Sequence, residues 1–128
     1  MKIALFHYHL RSGGVTEVII LSARILLSRM GNLKELRLVT GGREGTEGVL
    51  ERIREGFDRT AGGKLRLDVL DEIGYNERGK EPEPGVLAER LLARYDEDTL
   101  WWVHNYHLGK NPFFTAALME AAKTGNRK

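Results

Sequence analysis

Four histidines occupy positions at which side chains commonly bind ligands: His7, His9, His104 and His107. The first two lie at the end of an apolar run near the amino terminus, and the other two follow a second apolar run that ends at Val103. Both runs are predicted to be buried strands of a parallel sheet, in which ligands bind at the carboxyl ends of the strands. If the strand order is 3-2-1-4, the first and fourth strands are neighbours and the two pairs of histidines face one crevice. In the flavodoxin-like order 2-1-3-4 the two pairs would be separated.

The loop after the first strand contains a glycine pair, Gly13 and Gly14, just before a predicted helix. Two glycines allow a tight turn and the close approach of a ligand, and the amino end of a helix attracts phosphate or carboxylate groups. Glycines in such turns also serve packing alone, so the pair is a weak signal by itself. The spacing G-x-G-x-x-G is missing, and no G-K-[ST] sequence follows the glycines. These absences argue against NAD binding and ATP hydrolysis.

The loop after the fourth predicted strand is rich in side chains that form hydrogen bonds. His104, His107, Lys110 and Asn111 are candidates to bind a hydroxyl-rich or anionic ligand. Each also has a purely structural interpretation. Asn111 can cap the helix that begins at Pro112, His104 can be a satisfied residue at the end of a strand, and Lys110 can be a solvated surface charge.

The four histidines together also allow a metal site, and hence a metal-dependent hydrolase as an alternative function. Against this, neither loop contains an aspartate or glutamate, and Glu17 is the nearest acidic residue. Catalytic zinc sites commonly include a carboxylate as a ligand, a supporting partner or a base. The leading interpretation therefore includes no metal and no other cofactor.

The chain alternates apolar runs typical of strands with segments of helical periodicity. The predicted strands span residues 3–8, 36–40, 65–70 and 99–103, and the predicted helices span 16–30, 49–57, 87–95 and 111–125. This order predicts an α/β fold, a Rossmann-like doubly wound parallel sheet of four βα units. Residues 71–85 hold two of the three prolines and are predicted to form a loop or flap. Trp101 and Trp102 are predicted to lie in the core.

Length and charge limit the classes of protein. The 128 residues suit one domain, and the absence of cysteine excludes disulfides and thiolate metal sites. The net charge of +2 is spread among interleaved acids and bases, so no nucleic-acid partner is expected. No run resembles a signal peptide or a transmembrane segment, so a cytoplasmic location is expected. The chain stops after a helix where another strand is expected. We therefore expect an incomplete domain with an exposed sheet edge, through which it could self-associate.

Two motifs resemble those of B-fold, retaining glycosyltransferases of the family-4 type, which use nucleotide-sugar donors. The first strand, the pair Gly13-Gly14 and the long helix up to Gly31 resemble the start of these enzymes. The fourth strand followed by His104-Asn105-Tyr106-His107 resembles their V-H-x-H-like motif. The resemblance spans most of the chain but rests on two short segments.

The resemblance implies that residues 1–128 form the amino-terminal, acceptor-side portion of such an enzyme, truncated and without its donor-binding carboxyl-terminal domain. Gly13 and Gly14 would lie beside the donor diphosphate. The acceptor or the transferred sugar would contact the following residues: His9, His104, His107, Lys110 and Asn111. The chain alone is then expected to be inactive in transfer. A non-catalytic flavodoxin-like binding module is a further alternative.

Overall fold

The computed structural model describes residues 1–74, 83–104 and 111–125. For Thr124 and Gly125 it describes the backbone only. His107, Lys110 and most of the predicted flap lie outside these ranges. The strands are β1 (Lys2–His7), β2 (Glu35–Thr40), β3 (Leu65–Val69) and β4 (Thr99–Val103). The helices are α1 (Gly14–Arg29), α2 (Thr46–Arg54), α3 (Arg59–Gly62), α4 (Pro84–Arg94) and α5 (Pro112–Gly125). None of the helices in the described ranges has the length and apolar character needed to cross a bilayer.

The four strands form one parallel sheet in the order β3-β2-β1-β4. The α/β, Rossmann-like fold predicted from the sequence is therefore confirmed. The observed strand order is thus 3-2-1-4 and not the flavodoxin-like order 2-1-3-4. Because β1 pairs directly with β4, the loops that follow these two strands leave the sheet side by side.

Each face of the sheet packs against its own set of helices, because alternate side chains of a strand point to opposite faces. One core joins Ile3 and Leu5 of β1 to Leu36 and Leu38 of β2 and to buried residues of α1 and α2. The other core joins Ala4 and Phe6 of β1 to Val39 and to residues of α4 and α5. The side of α1 and α2 is called the α1 face below. His7 and Thr40 follow the alternation of Leu5 and Leu38, so both lie on the α1 face.

Two local features differ from the sequence-based expectation. The short helix α3 was not predicted, although Asp58 caps it by accepting a hydrogen bond from the backbone N–H of Ala61 at 2.8 Å. The sequence predicts that both tryptophans of β4 lie in the core, and the prediction is wrong for Trp102. Trp101 is half-buried against Phe6, whereas 40% of Trp102 is exposed. Trp102 lies on the α1 face of an edge strand, where the described helices leave it partly uncovered.

Asn111 caps α5 as its position before Pro112 predicts. Its Oδ1 accepts a hydrogen bond from the backbone N–H of Phe114 at 2.9 Å. Its Nδ2 donates to the carbonyl oxygens of Glu72 at 2.8 Å and Gly74 at 2.6 Å. The side chain is buried, and these bonds tie the start of α5 to the turn that follows β3.

Candidate functional site

The crevice lies where β1 and β4 end. The backbone N–H of His104 donates to the carbonyl oxygen of Phe6 at 3.0 Å, which extends the pairing of the two strands by one residue. The Nδ1 atom of His7 lies 3.4 Å from the carbonyl oxygen of His104. The rings of His7 and His9 are 5.2 Å apart. The structure thus brings together three of the four histidines singled out in the sequence, and the fourth, His107, lies outside the described residues.

The amino end of α1 opens toward the same edge of the sheet. Gly13 is its N-cap residue, and no side chain in the described ranges caps the helix there. A Cβ atom built on Gly13 or Gly14 would meet no described atom within 4 Å. Gly13 and Gly14 are exposed, so the start of the helix is open, with the positive end of the helix dipole behind it. This geometry suits the approach of an anion.

Three polar side chains form a row across the carboxyl ends of adjacent strands: Thr40 on β2, His7 on β1 and His104 after β4. His7 pairs in register with Thr40, and His104 takes the next register position beside His7. Thr40 is fully buried, His7 is 6% exposed and His104 is half-buried. Within the described part of the chain, Thr40 Oγ1 and His104 Nε2 are buried and have no hydrogen-bond partner. Such atoms are uncommon in folded proteins and often mark a functional position.

Both histidines of this row are held in the neutral form. Burial lowers the pKa of His7 to about 4, although its hydrogen bond to the backbone of His104 acts in the opposite direction. Burial also lowers the pKa of His104. Neutral imidazoles can donate or accept hydrogen bonds at pH 7, but they bring no positive charge to the site.

Trp102 is a member of the site that the sequence interpretation missed. Its ring stacks on that of His104, with centroids 5.3 Å apart and an interplanar angle of 22°. The two residues are separated by one position of an extended strand, so their side chains share the α1 face. This two-residue spacing was the available signal, and the expectation that Trp102 is a core residue concealed it.

The chain is 30% identical over 123 residues to the mannosylglucosyl-3-phosphoglycerate synthase of Petrotoga mobilis. The similarity supports a glycosyltransferase-like domain. The alignment covers 95% of this chain but 23% of the synthase, so the chain spans about a quarter of that relative's length. No family model matches the chain, and no solved structure matches it.

The comparison does not favour the alternative of a metal-dependent hydrolase. Among residues 1–74, 83–104 and 111–125, no three histidine, aspartate or glutamate side chains are grouped so that they could hold a metal ion.

Replacement of Thr40 by valine is expected to raise the free energy of unfolding by about 1 kcal/mol, because it removes a buried hydroxyl without a partner. Thr46→Val is the matched control. Thr46 is also buried, but its Oγ1 donates to the carbonyl oxygen of Arg43 at 2.7 Å, so this variant is expected to lose about 1 kcal/mol. Chemical denaturation measures both values. Equal losses in the two variants would show that the Thr40 hydroxyl has a partner after all.

Protonation of His7 is expected to destabilise the protein in mild acid. Its pKa is about 4 in the folded chain and near 6.5 in the unfolded chain. Between these values the unfolded chain binds the extra proton, so stability falls as the pH is lowered from about 6.5 to 4, by up to about 3 kcal/mol. Denaturation of the wild type and of His7→Asn across this range measures the effect. If both lose stability with the same slope, His7 does not titrate as described.

Proposed function

We propose that this chain is the acceptor-side part of a glycosyltransferase that moves a sugar from a nucleotide-sugar donor to an acceptor hydroxyl. The observation that carries the proposal is the similarity of nearly the whole chain to a mannosylglucosyl-3-phosphoglycerate synthase. The sheet order supports it, because the open amino end of α1 and the histidines after β1 and β4 meet at one edge. Ligands of open parallel sheets bind at this edge.

The name of the relative suggests the class of acceptor. Its product joins a mannosyl and a glucosyl unit to 3-phosphoglycerate. By analogy, we infer an acceptor of the glucosyl-3-phosphoglycerate type and a donor in which mannose is attached to a nucleoside diphosphate. Such an acceptor combines sugar hydroxyls with a negatively charged end, so its site needs both neutral hydrogen-bonding groups and groups that stabilise negative charge.

The residues then divide into a donor and an acceptor side. Gly13 and Gly14 are proposed to lie beside the donor diphosphate, where the first N–H groups of α1 stabilise the negative charge of the leaving group. In the transfer step the bond from the sugar carbon to the diphosphate oxygen breaks. A bond from that carbon to the acceptor oxygen forms, and the proton of the acceptor hydroxyl leaves with the departing nucleoside diphosphate or passes to solvent.

The acceptor side is proposed to consist of His9, His104, His107, Lys110 and Asn111. The contacts of His7 with His9 and with the backbone of His104, where β1 and β4 end, support this assignment, while His107 and Lys110 lie outside the described residues. The amide of Asn111 already makes three hydrogen bonds within the protein, so its contribution is to fix the start of α5. Donor binding is proposed to depend mainly on a second domain, so the 128 residues alone are not expected to transfer sugar.

The test is an NMR titration of the isotope-labelled chain with a nucleoside diphosphate and, separately, with glucosyl-3-phosphoglycerate. The diphosphate is expected to shift the amide resonances of Gly13 and Gly14, and the acceptor those of His9 and His104. Gly14→Leu should abolish the first set of shifts by occupying the open space. Gly48→Leu, at an exposed position of α2 that also has open space, should not. Shifts absent from both sets of residues would contradict the proposal.

A further inference from the structure

The direction of the hydrogen bonds at His7 restricts the kind of group that can bind beside it. A neutral histidine carries one N–H, and here Nδ1 faces the carbonyl oxygen of His104, which can only accept. The proton therefore lies on Nδ1, and Nε2 is left as an acceptor. The burial that depresses the pKa of His7 prevents a second proton from reaching Nε2 at neutral pH.

A ring nitrogen that can only accept a hydrogen bond binds hydroxyl groups in preference to phosphates. A hydroxyl can donate its proton to His7 Nε2, whereas a fully ionised phosphate oxygen has no proton to give. His104 stands one strand away, about 4.8 Å in the direction across the sheet. Its Nε2 is buried without a partner in the described part of the chain, and its ring is held against Trp102. The two imidazoles can thus form hydrogen bonds with one hydroxyl, or with two adjacent hydroxyls, of a sugar ring.

We propose that His7 and His104 form a subsite for the hydroxyl groups of an uncharged hexose ring, distinct from the anion site at the amino end of α1. The inference rests on the proposed function and deepens it, since it assigns the sugar and the phosphate to different parts of the crevice. It adds His7, which the sequence places at the crevice but not among the residues expected to contact the acceptor or the sugar. Trp102 is a positioning residue, because it fixes the plane of the His104 ring.

The hexose could belong to the acceptor or to the donor, and the probes distinguish them. The chain is labelled with nitrogen-15 in its histidine rings, and the ring nitrogens of His7 and His104 are followed by NMR. Glucosyl-3-phosphoglycerate, a nucleoside-diphosphate hexose and the same nucleoside diphosphate without sugar are added in separate titrations. We expect the free protein to show His7 protonated on Nδ1, and a ligand that carries the hexose to shift its Nε2 resonance.

Shifts with glucosyl-3-phosphoglycerate alone assign the subsite to the acceptor, and shifts with the nucleotide-hexose alone assign it to the donor. The sugar-free diphosphate should shift the amides of Gly13 and Gly14 and leave both imidazoles unchanged. If the diphosphate and the acceptor bind but neither hexose moves the imidazole resonances, the subsite is wrong while the proposed function stands. If glucosyl-3-phosphoglycerate does not bind, both are wrong, because the acceptor side is assigned to this chain. A His7 ring protonated on Nε2 also overturns the subsite.

A variant gives an independent measurement. His104→Phe keeps an aromatic ring against Trp102 but removes Nε2, and it is expected to weaken hexose binding about tenfold, the effect of one lost hydrogen bond. Unchanged shifts of Gly13 and Gly14 with the nucleoside diphosphate show that the variant is folded. Hexose binding as tight as in the wild type would overturn the assignment of His104.

Discussion

Replacement of Gly41 by alanine is expected to lower the free energy of unfolding by about 3 kcal/mol, because backbone atoms block the space that a side chain would need. An added Cβ would lie 2.2 Å from the Cα and 2.3 Å from the N of Gly74, and 2.8 Å from the carbonyl oxygen of Tyr8. None of these atoms can move without shifting the backbone. Gly74 is itself held by the side chain of Asn111, so the strain would spread to the start of α5.

Gly42→Ala is the matched control for this prediction, since it alters the adjacent glycine and its Cβ would meet no described atom within 4 Å. Urea denaturation of the two variants and the wild type measures the difference. We expect Gly42→Ala to stay within about 0.5 kcal/mol of the wild type. A loss in Gly41→Ala no larger than in Gly42→Ala would show that the segments after β2 and β3 are not packed as closely as described.

Replacement of Asp68 by alanine is expected to lower the free energy of unfolding by about 3–5 kcal/mol, because this buried carboxylate balances the positive charges of two arginines. Its oxygens accept hydrogen bonds from Arg37 Nη1 at 3.0 Å, Arg94 Nε at 3.1 Å and the Tyr95 hydroxyl at 2.7 Å. Burial alone would raise the pKa of Asp68, but the three donors outweigh it and lower the pKa. The cluster joins β2 and β3 to the end of α4, so its loss removes a polar link that supports the apolar packing of α4 on the sheet.

The ion pair of Glu17 and Arg52 provides the control for Asp68. It has two short contacts, at 2.6 and 2.8 Å, but more than half of each side chain is exposed. Exposed pairs contribute little because water screens them, so Glu17→Gln is expected to lower the free energy of unfolding far less than Asp68→Ala. Asp68→Asn removes the negative charge but keeps the size of the side chain. We expect its loss of stability to lie between those of Glu17→Gln and Asp68→Ala. Thermal unfolding of the three variants measures the order, and equal losses at Glu17 and Asp68 would contradict the structural role of the cluster.

The sequence predicts the order of helices and strands well because each strand is a short apolar run bounded by polar residues or glycine. Helix starts with a clear chemical signal, such as Asn111-Pro112, are confirmed by the capping hydrogen bond. The sheet order could not be derived in this way. The same alternation of strands and helices suits the orders 3-2-1-4 and 2-1-3-4, and the choice depends on packing between distant residues.

The candidate site was predictable only in part for a related reason. The type and position of His7 and His104 suggested a crevice, but their burial and the direction of the Nδ1 contact follow from tertiary structure. The exposure of Trp102 depends on which helices cover the α1 face, and no local pattern encodes it. The contact of Gly41 with Gly74 likewise joins segments distant in the sequence, where each glycine alone suggests a turn.

We propose that this chain forms the acceptor side of a sugar-transferring enzyme. The most direct test is mass spectrometry of glucosyl-3-phosphoglycerate after incubation with nucleoside-diphosphate mannose and the polypeptide encoded by the complete coding region. We predict that the acceptor gains one hexosyl unit, and that Gly14→Leu in the same polypeptide abolishes the gain while Gly48→Leu retains it. An acceptor of unchanged mass, with a folded polypeptide and intact donor, would contradict the claim.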